Sequence, residues 1–141
     1  MWNPSKRTRT ITGKTLLVTF SLTSIFHVLA LLQIVPYQYL WGGRLQSVEE
    51  MYLMESISLV ANGFFVFCSY QYLQSLNRGL VPIWIRIVFG IISLIFFINT
   101  IGNLVAITSL ETLLATPITA ILSVVSFIMV LKYENQTSEL Q

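Results

Sequence analysis

The chain has 141 residues, of which 55% are hydrophobic and 10% charged, with a mean hydropathy of +0.74. Soluble domains carry about 25% charge, so this composition excludes a water-soluble monomer. A formal net charge of +2 is too small for a nucleic-acid-binding surface, and the single cysteine, Cys68, excludes an internal disulfide or a C-x-x-C redox pair.

The charges are spaced so that residues 15–43, 56–77, 87–110 and 112–131 form four uncharged runs. Each is long enough to cross the hydrocarbon core as a helix, which takes about 20 residues. The expected fold is all-α: a four-transmembrane-helix bundle of up-down-up-down topology. It fills a single integral membrane domain over residues 1–141, with helices at roughly 14–35, 51–74, 82–107 and 111–132.

The first run follows Lys6, Arg7, Arg9 and Lys14, as a signal peptide would. It is longer than a signal h-region of about 7–15 residues and no A-x-A-like site follows, so it reads as an uncleaved first span. Pro36 limits that helix. Asn77, Arg78 and Gly79 form the second turn, and Pro82 suits the start of the third helix. The last helix is expected to begin near Ser109 and to bend at Pro117, because the residues after Pro117 are too few for a full span.

With four spans, one side holds Lys6, Arg7, Arg9, Lys14, Arg78, Arg86 and Lys132, and the other holds Arg44 alone. Basic residues are retained on the cytoplasmic side, so both termini are expected there, in the cell membrane. The aromatic residues agree. Tyr37, Tyr39, Trp41 and Tyr52 fall near outer span ends, and Trp2, Tyr70, Tyr72, Trp84 and Tyr133 near inner ones, while every Phe lies within a span. Glu49, Glu50, Glu55 and Glu111 map to the outer side, an acidic enrichment that topology does not require.

Polar groups inside a span are costly and usually face the bundle interior. His27, the sole histidine, lies about 20 Å along the first helix from Lys14 and shares a face with Thr23 and Ser24. It is a proton acceptor or ligand group, or a neutral histidine bonded between helices. Glu55, Ser58 and Asn62 line one face of the second helix. Glu55 either binds a cation beside a cavity or pairs with Arg44, fixing the first outer loop. In that loop, Trp41-Gly42-Gly43-Arg44 reads as a tight turn whose arginine reaches Glu50, Glu55 or an anionic headgroup. Asn99 and Asn103, four apart on the third helix beside Gly102, are interhelical glue or ligand contacts. Glu111, Thr112 and Thr116 precede Pro117, where a bend can shape a pocket or set helix tilt.

Pro36, Trp41-Gly42-Gly43-Arg44, Glu49-Glu50-Met51, Glu55, Asn99-Thr100-Ile101-Gly102-Asn103, Glu111 and Pro117 together resemble a group of small bacterial four-span membrane proteins of unknown function. The resemblance covers most of the chain and implies an architecture without an activity. Small multidrug transporters share the length and span count, but they carry a coupling carboxylate in the first span, where this chain has His27.

Two function classes follow. In one, His27, Arg44, Glu50, Glu55, Asn62, Asn99, Asn103 and Glu111 surround a small polar or cationic solute, or a lipid headgroup, in the outer half. In the other, the same groups tie the helices together, and apolar faces dock a membrane partner or a second copy. The chain shows no nucleophile motif, metal-spaced cluster or phosphate loop, so catalytic residues, metal ligands and cofactors are not expected, nor is nucleic acid. A site predicts convergence on a cavity open to the outer face, whereas glue predicts pairs with no void.

Overall fold

The computed structural model describes residues 4–105, 113 and 115–133. The described chain is helical: α1 (Lys6–Leu31), α2 (Val48–Asn77), α3 (Ile83–Leu104) and α4 (Thr116–Val130), with two short 3-10 turns between α1 and α2. Helices α1, α2 and α3 are long and apolar enough to cross a membrane. Helix α4 has 15 residues.

The helix ends differ from the expected bounds because capping, rather than charge, decides them. α1 begins eight residues before the expected position 14, since the Ser5 hydroxyl accepts the Thr8 amide and the basic residues that follow are good helix formers. It stops at Leu31, short of Pro36. There the Ile34 and Gln33 amides return to the Leu29 and Ala30 carbonyls around Gln33, whose φ of 57° is left-handed. α2 starts at Val48 under a Ser47 cap, and the Glu50 carboxylate accepts the Gln46 amide. It ends with the same C-terminal motif as α1, built on Gly79 (φ 82°). Pro117 sits in the first turn of α4, where its missing amide costs nothing. The expected helical segment from Ser109 to Thr112, Glu111 included, lies outside the described residues.

α1 packs mainly on α2 and α3 mainly on α4. α1 also meets α4, whereas α2 and α3 meet only slightly. Paired residues run in opposite directions within each hairpin: Arg9–Tyr72 and His27–Glu55 in the first, Arg86–Val130 and Ser93–Ser123 in the second. The core is concentrated at the end where the described termini meet, around Leu16, Phe20, Tyr72, Phe89, Ile92 and Met129. Gly13 allows close approach there, because a Cβ would stand 2.8 Å from Leu73 and 3.3 Å from Met129. A smaller cluster of Ala30, Leu40, Leu45 and Met51 holds the first loop to the other end. Outward faces are apolar and bare, as Leu22, Val60, Leu94 and Val124 show, which in a membrane places them against lipid.

Arg9 departs most from expectation. Read in the sequence as a flanking charge, it is fully buried. Its guanidinium donates to the Pro4, Leu131 and Lys132 carbonyls and the Tyr72 hydroxyl at 2.7–3.4 Å, and it lies over the Tyr133 ring. Arg86 donates to the Val130 carbonyl at 2.7 Å. Two arginines therefore satisfy the orphan carbonyls at the end of α4, where a positive charge also suits the helix dipole. Tyr72, expected at the headgroups, is buried as part of this knot.

Candidate functional site

On α1 and α3 the core-facing stripe turns polar when followed seven residues, about two turns, toward the first-loop end, and on α2 and α4 it is polar at both levels. On α1, Phe20 leads to His27. On α2, Ser69 leads to Asn62 and then Glu55. On α3, Ile92 and Phe96 lead to Asn99 and Asn103, and on α4 Ser126 leads to Thr119. Positions seven apart share a helix face, and of these polar groups Glu55 is buried, His27, Asn62, Asn103 and Thr119 are half-buried and Asn99 is exposed. Between the two levels lies an aromatic layer. Phe20 meets Phe65 at 5.2 Å, tilted by 53°, and stacks on Phe96 at 6.0 Å.

Above this layer the two hairpins are sealed separately. His27 Nδ1 and Glu55 Oε2 are 2.5 Å apart, with side chains 12% and 2% exposed, joining α1 to α2. The second carboxylate oxygen of Glu55 accepts the Trp41 indole N–H at 2.9 Å. In the second hairpin the Thr119 hydroxyl receives Thr100 at 3.0 Å and Asn103 at 3.3 Å. Below it, Ser93 and Ser123 exchange hydroxyl-to-carbonyl bonds at 2.9 and 3.0 Å.

Trp41 reaches Glu55 because the loop turns left-handed at Trp41, Gly42 and Gly43, with φ of 52°, 68° and 73°. Glycine adopts this region freely, whereas tryptophan is strained there. The two glycines thus carry the structural turn read from the sequence, and Trp41 is held against its preference by the indole bond. Strained residues of this kind cluster at functional sites.

The expected Arg44–Glu55 pair is not formed. Arg44 is exposed, and His27 and Trp41 occupy both carboxylate oxygens. Glu50 is exposed as well and serves the α2 cap. Asn62 is half-buried and donates to the Ser58 carbonyl of its own helix. Asn103 bonds Thr119 of α4, whereas Asn99 is exposed. Glu111 lies outside the described residues. Of the eight expected site residues, the structure joins His27 to Glu55 directly and turns Asn103 to Thr119 of α4, while Asn62 bonds within its own helix and Asn99, Arg44 and Glu50 are exposed.

Trp41 is the residue that sequence reasoning missed. Its position among outer aromatics concealed a hydrogen-bonding role, although the glycines after it signalled an unusual backbone. The Ser93–Ser123 exchange had no signal, since an isolated serine in a span is common. Two clefts lie elsewhere. One of about 270 Å³ is bounded by Gln33, Pro36, Tyr37 and Met51 under the first loop. The other, about 390 Å³ and bounded by Gly90, Leu94, Phe97 and Phe127, runs between α3 and α4 on the outward surface. Among the described residues, no group of three or more His, Cys, Asp or Glu could hold a metal. Compared with family models, curated proteins and solved structures, the chain matches none.

Proposed function

We propose that this chain is a multi-pass protein of the cell membrane that crosses four times with both termini cytoplasmic. Its outer half binds a small polar or cationic solute, or a lipid headgroup. The observation that carries the reading is the gathering of polar groups from all four helices, His27, Glu55, Asn103 and Thr119, beyond the Phe20–Phe65–Phe96 contacts toward the first-loop end. Polar side chains in hydrocarbon are costly and mark sites by default. The aromatic layer favours binding from outside over passage through the bundle. The resemblance to four-span bacterial proteins belongs to this proposal for the number of crossings and adds no activity.

A second reading has its own support. His27 with Glu55, and Asn103 and Thr100 with Thr119, are bonded pairs of the kind that glue requires, and bare apolar faces suit a membrane partner or a second copy. Asn99 separates the two readings because it is exposed and is not needed to hold helices. Purified protein is melted with a panel of small ammonium solutes, sugars and headgroup analogues. Binding predicts a solute that raises the melting temperature of the wild type and loses that effect in Asn99→Leu and Glu55→Gln, while Asn99→Leu without solute melts no lower. A panel without effect, with Glu55→Gln destabilised and Asn99→Leu unchanged, establishes the structural role instead.

A further inference from the structure

The inner end carries more cations than its architecture uses. Arg9 and Arg86 are engaged by the α4 carbonyls. Lys6, Arg7, Lys14 and Arg78 are exposed, and the one ion pair among the described residues is His27–Glu55, far from all four. The Arg9–Tyr72 bond and the seating of Gly13 on Leu73 set the start of α1 beside the end of α2. Lys6 and Arg7 lie within a turn of Arg9, and Arg78 caps α2 just beyond Tyr72, so these cations share one end of the bundle. Lys14 stands two turns above Arg7 on the same bare stripe as Ile11 and Val18. A lysine there extends its charge back along the helix to the surface. Tyr70 and Trp84, both about half-exposed, mark the headgroup level at this end.

We propose that Lys6, Arg7, Lys14 and Arg78 form a docking surface for anionic phospholipid headgroups of the inner leaflet. Positive-inside sorting accounts for the presence of basic residues but not for Arg9 and Arg86 being engaged while Lys6, Arg7, Lys14 and Arg78 stand bare. A bare cation at headgroup depth lies within the roughly 8 Å over which a phosphate attracts it at physiological salt. Glu134 and Glu139 are the acids that follow on this side and lie outside the described residues. The inference rests on membrane embedding and is independent of the outer polar site.

The test uses the full chain in neutral-detergent micelles, with phosphatidylglycerol or phosphatidylcholine of the same acyl chains added, and reads retained lipid by native mass spectrometry. Phosphatidylglycerol should be retained in preference by roughly fivefold for each cation engaged, and raised ionic strength should erode the preference. The combined variant Lys6→Gln, Arg7→Gln, Lys14→Gln, Arg78→Gln leaves Arg9 and Arg86 in place. It should melt as the wild type does in phosphatidylcholine and lose the preference. Equal retention of both lipids by the wild type overturns the proposal, as does a preference insensitive to salt. Competition by inorganic phosphate alone would replace it with a free-anion site. Recovery of the protein from the aqueous fraction of washed membranes would instead refute embedding itself.

Discussion

Glu55 is 1% exposed, so its contacts with His27 Nδ1 and the Trp41 indole N–H replace the water it has lost. Removing one partner of a buried pair leaves the other uncompensated, at a cost of about 3–5 kcal/mol, whereas exchanging the acid for its amide keeps an acceptor and a donor in place. His27→Ala should therefore destabilise the protein more than Glu55→Gln. The double variant should fall short of the sum of the two by about 0.5–3 kcal/mol, as contacting residues do; additivity in thermal melts would show that the pair is not coupled. Trp41→Phe keeps the ring but loses the indole donor. A hydrogen bond to a charged group contributes about 1.5–3 kcal/mol, so melting should fall accordingly. Because the left-handed backbone at Trp41 would then lack its tether, proteolysis in the first loop should also quicken. A Trp41→Phe protein that melts and resists protease as the wild type does would remove the indole from the account.

At the scale of helices, periodicity and caps were readable where they used ordinary signals. Gly79 after α2 and Pro82 before α3 each mark an end that the structure keeps within a few residues. The end of α1 was not readable, because Gln33 occupies the left-handed position that glycine usually takes. Its start was hidden by the assumption that charge lies outside a helix, although lysine and arginine favour helix. The same assumption hid Arg9, since nothing in a basic N-terminal segment separates the arginine that is buried from those that are bare. For the site, residue types were legible but partners were not: Glu55 was expected beside a cation or Arg44, and the fold gives it His27 and Trp41. Glycines show the same gap between sequence and environment. Gly13 is pressed against Leu73 and Met129, while a Cβ at Gly63 meets nothing within 4 Å. Gly13→Val should cost about 1–3 kcal/mol by overpacking, and Gly63→Val should stay within about 0.5 kcal/mol. Equal effects on melting would contradict the close α1–α2–α4 approach.

For the whole molecule, the number of crossings turns on α4. Its 15 described residues span about 22 Å at 1.5 Å each, short of a hydrocarbon core of about 30 Å. Length alone therefore leaves the last crossing undecided, but the inner-end knot constrains it. Arg9 near the start of α1 holds the carbonyls of Leu131 and Lys132, and Arg86 near the start of α3 holds that of Val130. The end of α4 therefore lies at the same end of the bundle as the starts of α1 and α3. The proposed four crossings place both ends of this knot on one side. Reporter fusions that are active only outside the cytoplasm should thus be silent at residue 1 and after residue 141, and active when inserted beside Arg44. The charge bias should govern the same result. With seven basic residues assigned to one side and one to the other, replacing Arg44 should leave the pattern unchanged, whereas neutralising Lys6, Arg7 and Lys14 together should reduce the fraction correctly oriented. A C-terminal reporter active outside, with the N-terminal one silent, would rule out four crossings and the Arg9 knot together, since a single geometry requires both.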